Sequence, residues 1–198
     1  MDQKIEQYQD PKLKTILYAA FDAFAKYGFK RTSMADIAEG AGMSRAALYM
    51  HFKNKDDIFR SMIEAYYAQS CADVAEALSR GGAIRDQLKA GFYAQSGEAF
   101  KALLDSPHGA EIIDVKSAAR DVVKEGNQAL KRVYADWLAV QSDCGRVNFQ
   151  AISDDPAQVA GVMLKALEGL KSDVPTYDDY SERCDLLAKV FGQALSTS

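Results

Sequence analysis

The sequence predicts an all-α fold on three observations. Apolar residues recur every three or four positions over most of the 198 residues, between side chains that cap helices. Proline occurs only four times while alanine is plentiful, a balance that favours helices. No alternation of apolar and polar residues runs long enough to demand a sheet.

The elements follow in order. Asp10 and Pro11 make an N-cap and first-turn pair, after which Leu13, Ile16, Leu17, Ala20, Phe21 and Phe24 trace one face as far as Gly28. Ser33 with Asp36 forms a capping box for a second helix bearing Met34, Ile37, Ala38 and Ala41. Gly42 can take the positive φ that ends it, and Ser44 is a preferred N-cap for a third helix, on which Leu48 and Phe52 share a buried face. Asn54, Lys55 and Asp56 open a long helix carrying Ile58, Phe59, Met62, Ile63, Tyr66, Val74 and Leu78 and ending near Gly81 and Gly82. Residues 84–104 read as another helix. Ser106 and Pro107 start a short one containing Ile112 and Ile113, and the segment from about Ser117 to Ser142 carries Leu130, Val133, Tyr134, Trp137 and Leu138. Cys144 to Phe149 is loop-like. Asp155 with Pro156 caps a helix bearing Val159, Met163, Leu164, Leu167 and Leu170, and Thr176 with Asp179 caps a last one bearing Tyr180, Cys184, Leu187, Phe191 and Leu195.

The stretch Thr32 to Lys55, TSMADIAEGAGMSRAALYMHFKNK, concentrates the chemistry. Two short helices joined by a three-residue break have the layout of a DNA-reading helix-turn-helix. Arg45 lies in the first turn of the second helix, where a guanidinium can pair with guanine through two bonds. Ala46 and Ala47 keep that helix slim enough for close approach to the major groove and can touch thymine methyls, and Met50 lies on the same side. Tyr49, His51, Lys53 and Lys55 flank it with donors suited to phosphate oxygens, which fix register without reading sequence.

The run from Leu13 to Phe59, and above all SRAALYMHFKNK, resembles the DNA-binding domain of the TetR family of bacterial transcriptional regulators. In that signature a leucine-tyrosine pair is followed by one variable residue, a histidine, an aromatic and a lysine opening the next helix. The resemblance implies that Arg45, Ala46, Ala47 and Met50 face bases while Thr32, Ser33, Tyr49, His51 and Lys55 touch phosphates. It also implies an N-terminal three-helix bundle over residues 1–54, followed at 55–198 by a larger helical domain for ligand binding and dimerisation.

Charge is compatible with a polyanionic partner despite a formal balance of −4. Residues 1–60 carry ten Lys and Arg against eight Asp and Glu, and the remainder fourteen against twenty, so the acidity belongs to the second part. Cys71, Cys144 and Cys184 have no paired spacing and read as buried or half-buried small hydrophobes in a reducing cytosol. No apolar run approaches a membrane span, and MDQKIEQYQD lacks a signal peptide's apolar core, so a cytoplasmic location is expected.

The last two helices are expected to pair with those of a second copy through Val159, Met163, Leu167, Leu170, Tyr180, Cys184, Leu187 and Phe191, giving the two-fold symmetry that a palindromic operator requires. An apolar or amphipathic small-molecule inducer is expected among Tyr66, Phe92, Ser96, Phe100, Tyr134, Trp137 and Met163, as family members resembling this chain respond to ligands there. No cofactor or metal is expected: His108 and Glu111 stand three apart but lack a third ligand. The function expected is a homodimeric repressor released from its operator by an inducer. A ligand-independent regulator or activator of the same fold is the alternative, and a small all-helical enzyme the remote one, since neither a phosphate loop nor a nucleophile elbow is present.

Overall fold

The computed structural model of the chain describes residues 10–115, 119–172 and 176–196, apart from the side chains of 97–99 and 113–115. The expected contribution of Ile113 and the expected helix start at Ser117 therefore lie outside the described residues, as does most of the polar N-terminal stretch.

Every regular element among the described residues is a helix. In chain order these are α1 (Pro11–Tyr27), α2 (Met34–Gly40), α3 (Arg45–Tyr49), α4 (Lys55–Ser79), α5 (Ile84–Asp105), α6 (Gly109–Val115), α7 (Arg120–Asp143), α8 (Pro156–Gly169) and α9 (Tyr177–Ala194). A 3-10 turn at Phe149–Ala151 breaks the loop expected after α7, and Val147 forms an isolated antiparallel bridge with Ser196. Two boundaries differ from the sequence reading. The third helix ends at Tyr49 rather than running on to Phe52, and α6 begins at Gly109 rather than at Pro107. Ser106 caps the chain before α6, its Oγ accepting from His108 N–H at 3.1 Å.

Packing divides the chain into two compact units, Met1–Ala68 with Ala102–Gly126, and Gln69–Lys101 with Asn127–Ser198. These are units of packing, whereas the division expected after residue 54 is one of function.

The first unit is built around α1. Asp10 accepts the Lys12 N–H at 2.8 Å and Pro11 fills the first turn, so the helix starts where the missing proline N–H costs nothing. Its inner face buries Leu13, Ile16, Leu17, Ala20 and Phe24. Phe24, Phe29 and Phe59 meet ring to ring, with centroids 5.0 Å, 6.0 Å and 5.2 Å apart. Each such pair adds about 0.5–1.5 kcal/mol beyond its buried area. Ile37, Leu48, Phe52 and Ile58 close the same core.

In the second unit Leu78, Leu88, Phe92, Leu130, Tyr134, Leu138, Met163, Leu167, Tyr180 and Cys184 are buried. Tyr180 stacks edge-on against Phe100 at 4.7 Å, and its hydroxyl donates to Ser96 Oγ inside the core. Lys89 pairs with Asp185 at 2.7 Å, where the Tyr93 hydroxyl also donates.

Candidate nucleic-acid interface

Three local devices aim the short helix α3. First, α1 ends at Gly28 with φ +82°, and the Gly28 N–H still donates to Phe24 O at 2.9 Å. A side chain would be strained in that region, and a Cβ there would stand 2.5 Å from Glu111 Oε2. Second, the Ser33 and Asp36 capping box forms as expected: Ser33 N–H donates to Asp36 Oδ2 at 2.8 Å and Asp36 N–H to Ser33 Oγ at 3.3 Å. The Ser33 hydroxyl and amide hold the Asp36 carboxyl below its ordinary pKa. Third, α2 closes in a Schellman turn. Met43 N–H donates to Ala38 O at 2.9 Å and Gly42 N–H to Glu39 O at 3.0 Å, with Gly42 at φ +64°. Ser44 Oγ then caps α3 by accepting from Ala47 N–H at 3.1 Å.

The result is a helix with one buried anchor. Leu48 is fully buried, while Arg45 and Ala46 are exposed, Ala47 is half-buried, Tyr49 is exposed and Met50 is 86% exposed. A singly exposed apolar side chain is ordinary, but here Met50 stands next to exposed Tyr49 at the end of the helix that carries Arg45. His51 and Lys53 are exposed beside it, and Ser33 is exposed at the start of α2.

Two of the expected phosphate contacts are placed differently. Thr32 is buried, and its hydroxyl donates to the carbonyls of Ala23 (3.1 Å) and Gly28 (2.7 Å). The Lys55 ammonium donates to the carbonyls of Phe29 (2.7 Å), Lys30 (2.9 Å) and Thr32 (3.1 Å) and lies 4.8 Å from the Phe29 ring centre. All three of its protons are committed. Both residues therefore shape the loop between α1 and α2. Ser33 is exposed, but its hydroxyl donates to Asp36 Oδ2 at 2.7 Å within the capping box, so the outward-facing donors are Tyr49, His51 and Lys53. Nothing in the sequence pattern separates a lysine that tethers carbonyls from one that reaches outward.

The family model described as "Bacterial regulatory proteins, tetR family" matches residues 16–62, the stretch that holds these devices. Over that stretch the chain is similar to the tetR family of bacterial regulatory proteins. It is 35% identical over 83 residues, 42% of this chain and 37% of the other, to a probable HTH-type transcriptional regulator, ArpR, of Pseudomonas putida. The chain thus spans well under half the length of that curated relative. The fold extends further. A transcriptional regulator from Cytophaga hutchinsonii superposes with a TM-score of 0.72 at 23% identity over 95% of this chain and 100% of that one. SmeT, the repressor of a Stenotrophomonas maltophilia multidrug efflux pump, superposes with a TM-score of 0.66 at 19% identity over 94% and 91%. The family and the curated relatives are regulators, not enzymes.

The outer faces of α8 and α9 differ from the sequence reading. Val159, Met163, Leu167, Tyr180 and Cys184, expected at a dimer interface, are buried in the protomer's own core, while Leu170, Leu187 and Phe191 are half-buried. Helical periodicity finds the most apolar face, and that face goes inward. The apolar residues turned to solvent are Val162 on α8 (62% exposed) and Leu186 and Val190 on α9 (62% and 55%). Leu186 and Val190 are four apart, a second and weaker stripe that the sequence does contain. A shallow cleft of about 630 Å³ runs beside Val162, lined by Lys131, Ala157, Gln158, Gly161, Lys165 and Ala166.

The expected ligand residues fall into two groups. Phe92, Ser96, Phe100, Tyr134, Trp137 and Met163 are all buried in the second unit, with the Phe92 and Tyr134 rings 6.1 Å apart. Tyr66, in the first unit, is half-buried and packs edge-on against Tyr67 at 5.2 Å. The Trp137 Nε1–H is buried with no hydrogen-bond acceptor. Of the cysteines, Cys71 is half-buried and Cys184 buried, but Cys144, expected to be at least partly covered, is exposed on the turn after α7. Among the described residues no helix is long and apolar enough to cross a membrane, and no group of three or more His, Cys, Asp or Glu could hold a metal ion.

Proposed function

We propose that the chain is a cytoplasmic DNA-binding transcriptional regulator whose α3 enters the major groove of a palindromic operator. The observation that carries this reading is the exposure of Arg45, Ala46, Tyr49 and Met50 on a helix anchored by buried Leu48 between two capped turns. Arg45, Ala46, Ala47 and Met50 face base edges, and Tyr49, His51 and Lys53 approach phosphates. In this division of labour residues 1–54 read DNA and residues 55–198 regulate. The protein acts as a homodimer, whose symmetry sets two reading heads on two half-sites. The solvent-facing Val162, Leu186 and Val190 supply the apolar centre of that contact, and the small residues Gly161 and Ala157 allow close helix approach.

The regulator represses, as SmeT does by its description. An apolar or amphipathic inducer enters the aromatic core around Phe92, Tyr134 and Trp137, where the unpartnered indole N–H offers one hydrogen bond to an acceptor on the ligand. The inducer acts by binding more tightly to the state that does not fit the operator.

Mobility-shift assays with the DNA upstream of the protein's own gene test the reading. The wild type shifts that DNA, whereas Arg45→Ala and Tyr49→Ala bind it more weakly. Undiminished binding by both variants would overturn the assigned face.

A further inference from the structure

We propose that Glu111 is a positioning residue for DNA binding, holding from α6 the loop that leads into the reading head. The proposal rests on the DNA-binding reading given above.

The loop from Gly28 to Thr32 contains no regular structure, yet its backbone groups are tied down in detail. Gly28 O accepts from Thr32 N–H at 3.1 Å and from the Thr32 hydroxyl, and Lys55 gathers the carbonyls of Phe29, Lys30 and Thr32. All of these partners lie within or beside the stretch the family model matches. The Lys30 N–H is different. It donates to Glu111 Oε1 at 2.9 Å, across 81 residues of sequence. The other oxygen of the same carboxylate occupies the space that a Cβ on Gly28 would need, with His108 Nδ1 3.7 Å away. A second tether stands next to it: the Ser106 hydroxyl donates to Ala25 O, in the last turn of α1, at 2.8 Å. That carbonyl is one of the four a helix C-terminus leaves without an internal partner.

The loop opens directly onto Ser33, the N-cap of α2, whose hydroxyl and amide are both engaged with Asp36. The loop sets where α2 begins, and so the direction of α2 and α3, only if it is rigid. Lys55 fixes the carbonyls of that loop, and Glu111 fixes the amide between them. A charged acceptor makes a stronger bond to an amide than a neutral one, so the carboxylate suits this task.

The test uses the full chain and a DNA duplex selected from a random-sequence pool by the wild-type protein, with affinity read by fluorescence anisotropy. Glu111→Ala is expected to weaken binding about tenfold, a loss equivalent to about 1.4 kcal/mol, while Glu111→Gln, which keeps an acceptor oxygen, recovers most of it. Asp185→Ala, which breaks the Lys89 and Tyr93 contacts in the second unit, controls for lost stability and leaves affinity unchanged. Hydrogen exchange at the Lys30 amide of the wild type supplies a readout independent of any variant's folding, and slow exchange that slows further on DNA is expected. Wild-type affinity in Glu111→Ala, equal weakening by Glu111→Gln and Glu111→Ala, or an unprotected Lys30 amide would overturn the proposal. Failure of the wild type to select any duplex would instead overturn the DNA-binding reading itself.

Discussion

Leu48 and Met50 stand two residues apart at the end of one short helix and lie on opposite sides of the protein surface, Leu48 fully buried and Met50 86% exposed. The first holds α3 to the unit and the second faces outward. Leu48→Ala should therefore cost about 2–5 kcal/mol of stability. Met50→Ala should leave the denaturant midpoint unchanged and reduce DNA affinity alone. Urea unfolding and anisotropy on the same two proteins separate the effects.

Gly42 sits at φ +64° with no atom within 4 Å of the place a Cβ would take. Space is not the obstacle there, only backbone conformation. Gly42→Ala should destabilise by about 1–2 kcal/mol and Gly42→Asn by less, since asparagine tolerates the left-handed region. Thermal melts of the two variants check the order.

The two lysines that flank the signature should behave in opposite ways. Lys55 ties three carbonyls, so Lys55→Met should lower stability markedly. Lys53 is exposed, so Lys53→Ala should leave stability intact and reduce the slope of log affinity against log salt by about 1. Equal salt slopes for the wild type and Lys53→Ala would remove Lys53 from the phosphate set.

Much of this architecture was legible in the sequence, and the reasons are local. The cap pairs at Asp10, Ser33, Ser44, Asp155 and Thr176 all accept the backbone N–H groups that their spacing implies. Caps are decided within three or four residues, so a linear reading finds them. What failed to show was long-range. The role of Lys55 depends on a loop more than twenty residues earlier, and that of Glu111 on a loop 81 residues away. The inward assignment of Met163 and Cys184 depends on which of two apolar stripes meets the core, which periodicity alone does not rank.

That reassignment makes a prediction about assembly. Val162→Glu and Leu186→Glu place charge on the solvent-facing stripe and should convert the proposed dimer to folded monomers in sedimentation equilibrium. Met163→Ala should instead lower the melting temperature by opening a cavity in the protomer, without a change in mass.

Acid should weaken the first unit in a defined window. Arg60 grips both oxygens of Asp121 and holds its carboxyl well below the ordinary range, and Ser33 lowers that of Asp36. A carboxyl with a depressed folded pKa stabilises fully above its unfolded value of about 3.9 and loses that contribution as pH falls through the folded value. Asp121→Asn should therefore melt below the wild type at pH 7 and converge with it as the pH is lowered below 4. A constant difference across that range would show that the ion pair contributes nothing to folding.

If two copies of α3 read a symmetric DNA site, selection by the wild-type protein from a random-sequence duplex pool will show it. The expected result is enrichment of an inverted repeat with half-sites about one helical turn apart, and relaxed preference at a symmetric pair of positions in the Arg45→Ala variant. Enrichment of a motif without two-fold symmetry, or a preference that Arg45→Ala leaves untouched, would contradict it.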